Sequence, residues 1–456
     1  MNLRMPLRAI RCRVLALSAL LWVPVAGFAA EAVAAPAANL PGNVAAQHVG
    51  VATCASTVCH GSAAVRGNAG IQYNEYVVWS QSDPHARTWN VLLGADARRI
   101  ATRLGLPNAH EAPVCLACHT DYVPAARQGA KHLYSDGIGC EACHGAASGW
   151  LQSHARAGAT HADNLAQGLY PLSDPEQRAD RCLSCHAGNS EKFAGHDMMG
   201  AGHPRLQFEL VNWLRMQVPH YRADADYARR KQAPPDDATQ WAIGQLASAR
   251  NLLRTVDSPR LDAGGLWVEL ALFDCHACHA PMNAGKWQVR DSARTLRPGS
   301  VRLNDSALLM TALLVQVRAP QDGKLLRRGI EDLHAASQQS RDALHEKARA
   351  LVAQIDRQLS TLKQEPLDAR QAQLLLPTVL EFAASGRFND YLTAEQAAMA
   401  ADILMRSGQP DRYAQLAPQF DAVFTTLADQ NRFQAPAFVA AVRRLREAAG
   451  FRQSAP

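Results

Sequence analysis

Five pairs of closely spaced cysteines, each followed at once by a histidine, constrain this chain more than any other feature of its sequence. Four pairs have the pattern Cys-x-x-Cys-His, and the first, CASTVCH, has four residues between its cysteines. The cysteines are Cys54 and Cys59, Cys115 and Cys118, Cys140 and Cys143, Cys182 and Cys185, and Cys275 and Cys278. The histidines that follow them are His60, His119, His144, His186 and His279.

Covalent haem attachment is the chemistry that needs both the cysteine pair and the histidine. An even set of cysteines in an exported protein suits disulfides, but a disulfide has no use for the adjoining histidine. Paired cysteines also form tetrahedral zinc sites, which do not require a histidine after every second cysteine. In a c-type haem site the two thiols bind the vinyl groups and the histidine binds iron. The sequence therefore predicts five covalently attached haem c groups, with the five histidines as proximal ligands.

The first thirty residues predict export. Four arginines at the start are followed by the apolar run VLALSALLWVPVAGFAA and by small residues suited to cleavage, the order found in a secretory signal peptide. A membrane anchor is the alternative, but the apolar run is short for a bilayer span. We expect residues 1–30, with the eleventh cysteine Cys12, to be removed, and residues 31–47 to form a flexible linker. The mature protein is expected to be periplasmic.

The charge of the chain argues against nucleic-acid binding. The formal net charge is +6 at pH 7, and removal of the four arginines in residues 1–30 lowers it to +2. Proteins that bind nucleic acids usually carry a basic face or stripe. Redox proteins are the expected partners, and a membrane redox complex is one docking partner that the C-terminal helices would suit.

Histidines crowded among the haem motifs are natural candidates for the second axial ligand of each iron. His85 follows Asp83 and Pro84, a predicted N-cap and first helical residue, and a helix N-terminus keeps an imidazole neutral. His203 also stands next to a proline that is predicted to open a helix, and His154 ends the stretch GIGCEACHGAASGWLQSH. His196 is a further candidate, with the neighbouring methionines more often packing than ligating.

The other histidines are not chosen as distal ligands. His276 lies between the cysteines of the fifth motif and is expected to point away from its own iron. Two histidines near the C-terminus, His334 and His345, are expected to be solvated. Nothing in the local sequence distinguishes the remaining ones from ordinary surface or core residues: His48, His110, His132, His161 and His220.

The spacing of apolar residues predicts a mainly α protein with little regular sheet. Between the motifs the segments are short and rich in Gly, Pro and Ala, and amphipathic helices are predicted near 204–218 and 237–256. From residue 291 the sequence predicts a helical bundle. One apolar stripe along a predicted helix consists of Leu344, Ala348, Leu351, Ile355, Leu359 and Leu362. TAEQ at 393–396 predicts a capping box, and Gly408 a C-cap. We expect a pentahaem domain over 48–290 and a helical domain over 291–456.

The order of these motifs resembles the tetrahaem cytochrome c-554 family, within the superfamily of hydroxylamine oxidoreductase and pentahaem nitrite reductase. SDPHA, CLACH, GIGCEACHG with its trailing histidine, and RCLSCH carry the likeness, over about residues 48–190. The resemblance implies axial pairs of His60 with His154 and of His186 with His85, and an open side at the haem of His119. The chain departs from the family in its four-residue spacer, fifth motif and C-terminal helices.

Electron transfer between redox partners, through closely spaced and mostly bis-histidine haems, is the function that these features favour. The alternative is a multihaem oxidoreductase that acts on a small nitrogen or sulfur species at a five-coordinate haem, most plausibly that of His119. The sequence lacks the Cys-x-x-Cys-Lys motif of the catalytic haem in the nitrite reductases, and this absence argues against nitrite-reductase-like catalysis. A third interpretation makes the C-terminal helices a docking module.

Overall fold

Helices form the regular structure of this chain. The computed structural model describes residues 46–65, 71–221, 234–258, 268–279, 290–297, 299–388 and 390–451. The expected signal peptide, Cys12 and nearly all of the linker lie outside these residues. Among the described residues there is no β-strand, and two isolated bridges join His48 to Gln128 and Phe273 to Leu303. The mainly α prediction is confirmed.

The helices are short in the first half of the chain and long in the second. They are α1 Glu75–Ser82, α2 Thr88–Val91, α3 Ala95–Arg103, α4 Pro113–His119, α5 Cys140–His144, α6 Leu151–His154, α7 His161–Ala166, α8 Pro175–His186, α9 His196–Gly200, α10 Leu210–Met216, α11 Asp237–Val256, α12 Cys275–His279, α13 Ser306–Arg318, α14 Pro320–Ala336, α15 Arg341–Gln364, α16 Ala369–Ser385, α17 Tyr391–Gly408, α18 Pro410–Thr425 and α19 Ala435–Ala448. None of the helices in the described ranges has the length and hydropathy that a bilayer span requires.

The first half of the chain buries few side chains of its own. One small cluster joins Leu92 and Leu116 with three alanines, and a second joins Leu183, Phe208 and Leu210 with two alanines. A continuous cavity of about 2010 Å³ opens between the short helices. Single small-molecule sites usually measure about 300–1,000 Å³, so this space is large enough for several ligands.

The second half has a conventional hydrophobic core. All six residues of the predicted stripe on α15 are buried, which confirms that prediction. The same core extends from Val211 to Leu445, and the long helix α11 packs against both α8 of the first half and α15 of the second. Its side chains Trp241, Leu246 and Leu253 are fully buried. The apolar core therefore runs across residue 290, and the domain boundary at that residue stays a prediction.

Four local predictions differ from the structure. The helix predicted near 204–218 begins at Leu210, because the side chain of Glu209 accepts hydrogen bonds from two backbone N–H groups of its first turn. His203 is therefore not at a helix N-terminus. The capping box at 393–396 is also wrong, since Asp390 caps α17 by accepting the N–H of Thr393 at 2.7 Å.

His334, which was expected to be solvated, is fully buried, with its Nε2 3.1 Å from a carboxylate oxygen of Asp305. Gly408 is the last residue of α17 and Gln409 follows as its cap, which moves the predicted C-cap by one residue.

Candidate functional site

The cysteine motifs lie on single helical turns. The second, third and fifth occupy the short helices α4, α5 and α12, and the fourth occupies the last turn of α8. On a helix, residues three and four positions apart share a face, so one turn presents both thiols and the histidine in the same direction. The first motif follows the 3-10 helix Val51–Thr53 and is not helical itself. No disulfide joins any of the ten described cysteines.

The thiols of different motifs lie close together. Cys54 of the first motif is hydrogen-bonded to Cys140 of the third, and Cys118 of the second to Cys185 of the fourth. The thiols of the third and fourth motifs also interact. Burial raises the pKa of Cys143 to about 11 and that of Cys182 to about 12.

Each motif histidine stands opposite one other histidine, and the five pairs have nearly the same spacing. The distances between ring centroids are 6.3 Å for His60 and His154, 6.4 Å for His119 and His203, 6.2 Å for His144 and His220, 6.1 Å for His186 and His85, and 6.3 Å for His279 and His196. Another pair, His48 and His132, has the same spacing of 6.2 Å but contains no motif histidine, so the five pairs are distinguished by the recurrence of this spacing at every motif histidine.

The spacing fits a metal ion between the rings. With a metal–nitrogen bond of about 2 Å and roughly 1.15 Å from ring nitrogen to ring centroid, two axial imidazoles on one metal have centroids about 6.3 Å apart. Aromatic pairs in general have centroids about 4.5–7 Å apart, so the interpretation rests on the recurrence of this one spacing at all five motif histidines. The residues present therefore fit five haem irons, each between two imidazoles.

Hydrogen bonds to Nδ1 orient five of these rings and leave Nε2 available. His60 Nδ1 lies 2.9 Å from Glu75 Oε2, and His85 Nδ1 lies 2.9 Å from Asp83 Oδ1. The other three donate to backbone oxygens: His119 to Thr88 at 3.1 Å, His154 to Leu151 at 2.6 Å, and His203 to Pro204 at 2.7 Å. A metal-ligating histidine almost always donates its other ring N–H in this way, which fixes its tautomer.

The electrostatic surroundings shift the pKa of five of the ten rings, in two directions. The hydrogen bond to Glu75 raises the pKa of His60, and the one to Asp83 raises the pKa of His85. Burial instead lowers the pKa of His119, His186 and His220, so these rings are neutral at neutral pH. A neutral imidazole is the form that binds iron.

The planes of the paired rings also fall into two groups. The rings of His60 and His154 are inclined by 9° and those of His196 and His279 by 25°. The other three pairs are nearly perpendicular, at 82°, 84° and 87°. Because the EPR spectrum of low-spin ferric iron depends on the angle between its axial imidazole planes, the two groups of pairs are expected to give different EPR signals.

The cavity connects four of the five sites. Its wall contains both cysteines and both histidines of every pair that involves the first four motifs. None of the described residues of the fifth motif lines it. Met198 lines the cavity too, but at the fifth motif a histidine, His196, stands opposite the motif histidine.

All four distal candidates from the sequence lie opposite a motif histidine, and a fifth residue joins them. His220 was not selected, because VPHY has no capping signal, no motif and no close position to a haem motif. His203 stands opposite His119, on the side where the family resemblance implies an open position.

The histidines that were not selected, His220 apart, have other partners. His48 Nδ1 lies 2.7 Å from Asp121 Oδ2, and His132 Nε2 lies 2.9 Å from the backbone oxygen of the same aspartate. His110 contacts the ring of Trp89, and His161 contacts Ser173.

Comparison with known proteins agrees with this chemistry. Residues 53–145 match the family model described as cytochrome c554 and c-prime. The match begins one residue before Cys54 and includes the first three motifs, so it covers the motif with the four-residue spacer. No curated protein and no solved structure matches the chain. The family match supports a c-type cytochrome that binds haem covalently and takes part in electron transfer.

Proposed function

We propose that this c-type cytochrome is an exported pentahaem electron carrier in which every iron has two histidine ligands. The observation that carries the proposal is the common spacing of 6.1–6.4 Å in the five histidine pairs. A c-type haem held in this way supplies one-electron exchange at its iron. Two histidine ligands on each iron suit this role, because no ligand has to leave or enter.

The chain's own residues hold and orient the five groups. Each cysteine pair is proposed to bind one porphyrin through two thioether bonds, and each motif histidine to bind iron from one side. The distal ligands are proposed to be His154, His203, His220, His85 and His196, in the order of the motifs. Hydrogen bonds at Nδ1 keep the rings in place, and second-shell partners of this kind also increase the basicity of the ligand.

The relative positions of the motifs support a row of sites. Hydrogen bonds between thiols link the first motif to the third and the fourth to the second, and the cysteines of the third and fourth motifs are close enough to interact electrostatically. His203, opposite the second motif, and His196, opposite the fifth, lie on one short segment that includes α9. A row of haem sites in the order of the first, third, fourth, second and fifth motifs would therefore connect all five. Cys59 at one end of this row and Cys278 at the other are the exposed cysteines among those described.

The oxidoreductase alternative requires an iron with a free position. His119 was its most plausible site, and the ring of His203 at 6.4 Å counts against a free position there. Electron transfer is therefore the function that the geometry favours. The proposed location is the periplasm, on the basis of the basic and apolar start of the chain. The proposed partners are redox proteins.

Haem stoichiometry and ligand number test the proposal together. The chain, matured with its natural start, should carry five haems per polypeptide by intact mass and by pyridine haemochrome absorbance. Its EPR spectrum should contain low-spin ferric signals without a high-spin component, and the reduced protein should not bind carbon monoxide. Exchange of Cys54 and Cys59 for alanine should remove one haem and leave four.

A mass equal to the bare polypeptide would end the proposal. A stoichiometric high-spin signal in the unmodified holoprotein would instead favour the oxidoreductase alternative.

A further inference from the structure

The fifth motif is held by the C-terminal helices through residues within and immediately before the motif. Its helix α12 is preceded by a backbone connection to residues 302–304, in which Asp274 N–H donates to Arg302 O and Asn304 N–H donates to Leu272 O, each at 2.9 Å. Phe273 and Leu303 form the antiparallel bridge between these hydrogen bonds. The segment 302–304 leads directly into α13.

A buried carboxylate strengthens this connection. Asp274 is 2 % exposed, accepts the backbone N–H of His276 at 3.0 Å and forms an ion pair with Arg302. The same side chain thus caps the start of α12 and binds the segment that enters the C-terminal helices. A charge-assisted bond at a helix N-terminus is favourable, because the N–H groups there have no partner within the helix.

His276, between the two cysteines of the motif, makes the second connection. Its Nδ1 accepts the backbone N–H of Tyr391, the first residue of α17, at 3.0 Å. Its Nε2 lies 3.1 Å from the backbone oxygen of Gln430. Since Nδ1 accepts, the proton must lie on Nε2, which donates to Gln430. Both ring nitrogens are therefore used by the C-terminal helices, and neither is free to bind iron.

Aromatic rings enclose the same imidazole. Phe433 is stacked on His276 at 5.9 Å with an angle of 14°, and the ring of Tyr391 approaches its edge at 6.3 Å. The guanidinium of Arg205 lies 5.7 Å from the centre of the Tyr391 ring and 3.2 Å from a carboxylate oxygen of Glu395. Three separate segments of the chain thus meet around this side chain.

We propose that His276 is a positioning residue, through which the C-terminal helices hold the fifth haem in a fixed orientation at the end of the row. The inference rests on the proposed function and gives residues 291–456 a role in it. The ring is fixed by two hydrogen bonds and one stacking contact, and His276 directly follows Cys275 and lies two residues before Cys278. Its anchoring restricts α12 and therefore the angle at which the ring of His279 faces that of His196.

The fifth site can be followed by EPR spectroscopy. In low-spin ferric iron with two axial imidazoles, near-parallel planes give a rhombic EPR spectrum, and near-perpendicular planes give one dominant, large g value. The pairs at 9° and 25° are therefore expected to give the rhombic signals of this protein. The variant His154→Ala opens the first site, so the rhombic signal that remains belongs to the fifth.

The experiment uses the full-length holoprotein with His276→Ala, and His110→Ala as the matched control, since His110 contacts Trp89 and lies opposite no motif histidine. We expect the fifth-site rhombic signal to shift or to be lost in His276→Ala, with a change in one reduction potential. The other four sites should be unaltered, and His276→Asn, which keeps an acceptor for Tyr391 N–H, should restore part of the signal.

An unaltered fifth-site signal and unaltered potentials in His276→Ala would overturn the inference while leaving the pentahaem function intact. If His276→Ala fails to mature, Phe433→Leu removes the ring stacked on His276, keeps both hydrogen bonds of that imidazole and should produce a smaller shift of the same signal. No shift in that variant would also count against the inference. A parent protein without five haems would instead contradict the proposed function.

Discussion

His220 lies opposite His144, with ring centroids 6.2 Å apart and planes inclined by 82°. His144 belongs to the third cysteine motif, whereas His220 follows α10, far along the chain. No local pattern joins the two residues, and the cavity wall brings them together. The pair therefore completes the set of five with a residue that sequence reasoning passed over.

Replacement of His220 tests this pair. In His220→Ala, we expect one of the five irons to become five-coordinate, because the third motif would keep only His144 as a ligand. The holoprotein should gain a high-spin ferric signal equivalent to one iron, and the reduced protein should bind about one carbon monoxide. The control is His161→Ala. A fully low-spin spectrum in His220→Ala would show that another residue binds this iron.

The angles between the ring planes predict the EPR spectrum of the unmodified protein. Two pairs, at 9° and 25°, should give rhombic low-spin signals, and three pairs, at 82–87°, should give signals with one dominant large g value. Quantitation against a spin standard should give two irons with rhombic signals for every three irons with one dominant large g value. Five signals of a single type would contradict the ring orientations.

The carboxylate of Glu75 should lower the reduction potential of the first site. It accepts from His60 Nδ1 at 2.9 Å and also from the N–H groups of Gln72 and Tyr73. Negative charge on this second-shell acceptor makes the imidazole more basic and favours ferric iron.

In Glu75→Gln, we expect the first-site potential to rise by about 40 mV, because a charge-assisted hydrogen bond exceeds a neutral one by about 1 kcal/mol. Spectroelectrochemical titration gives the measurement, and Glu111→Gln, at an exposed carboxylate, is the control. A potential that stays unchanged or falls would refute the assignment.

Arg250 joins the two halves of the chain and should make stability depend on pH. This buried residue of α11 contacts Glu176 Oε1 at 2.5 Å and Asp180 Oδ2 at 2.6 Å on α8, and Asp356 Oδ1 at 3.2 Å on α15. Burial raises the pKa of Glu176, but hydrogen bonds from Arg250 and Lys363, with their charges, lower it overall below the usual 4.5.

The lowered pKa of Glu176 gives the direction of the effect. A carboxyl with a lowered pKa in the folded state stabilises the fold above its unfolded pKa, and this contribution is lost as the pH falls through the folded value. Arg250→Met should cost about 3 kcal/mol at pH 7, since it removes the buried cation that three carboxylates share. This loss of folding stability should become smaller below pH 4.5. Thermal unfolding of the holoprotein measures it, with Arg254→Met, at a more exposed arginine, as the control.

The cysteine motifs and the mainly α class could be read from the sequence because both depend on neighbours along the chain. A haem motif is complete within one helical turn, and the stripe from Leu344 to Leu362 needs only helical periodicity. The N-cap at Asp83 is local as well, and its side chain accepts the N–H of His85 at 3.0 Å. Features that depend only on residues close together in sequence can be predicted from the sequence.

The family resemblance implies two of the histidine pairs, His60 with His154 and His186 with His85. The tertiary structure alone decided the other three pairs and what the C-terminal helices touch. A distal ligand needs only to arrive at a given point in space, so His220 and His203 carry no common local pattern. His276 was expected to turn away from its iron, but its partners Tyr391 and Gln430 come from segments more than a hundred residues later. Packing of α11 against both halves of the chain sets these distances, and a packing arrangement depends on many weak contacts between residues far apart in sequence.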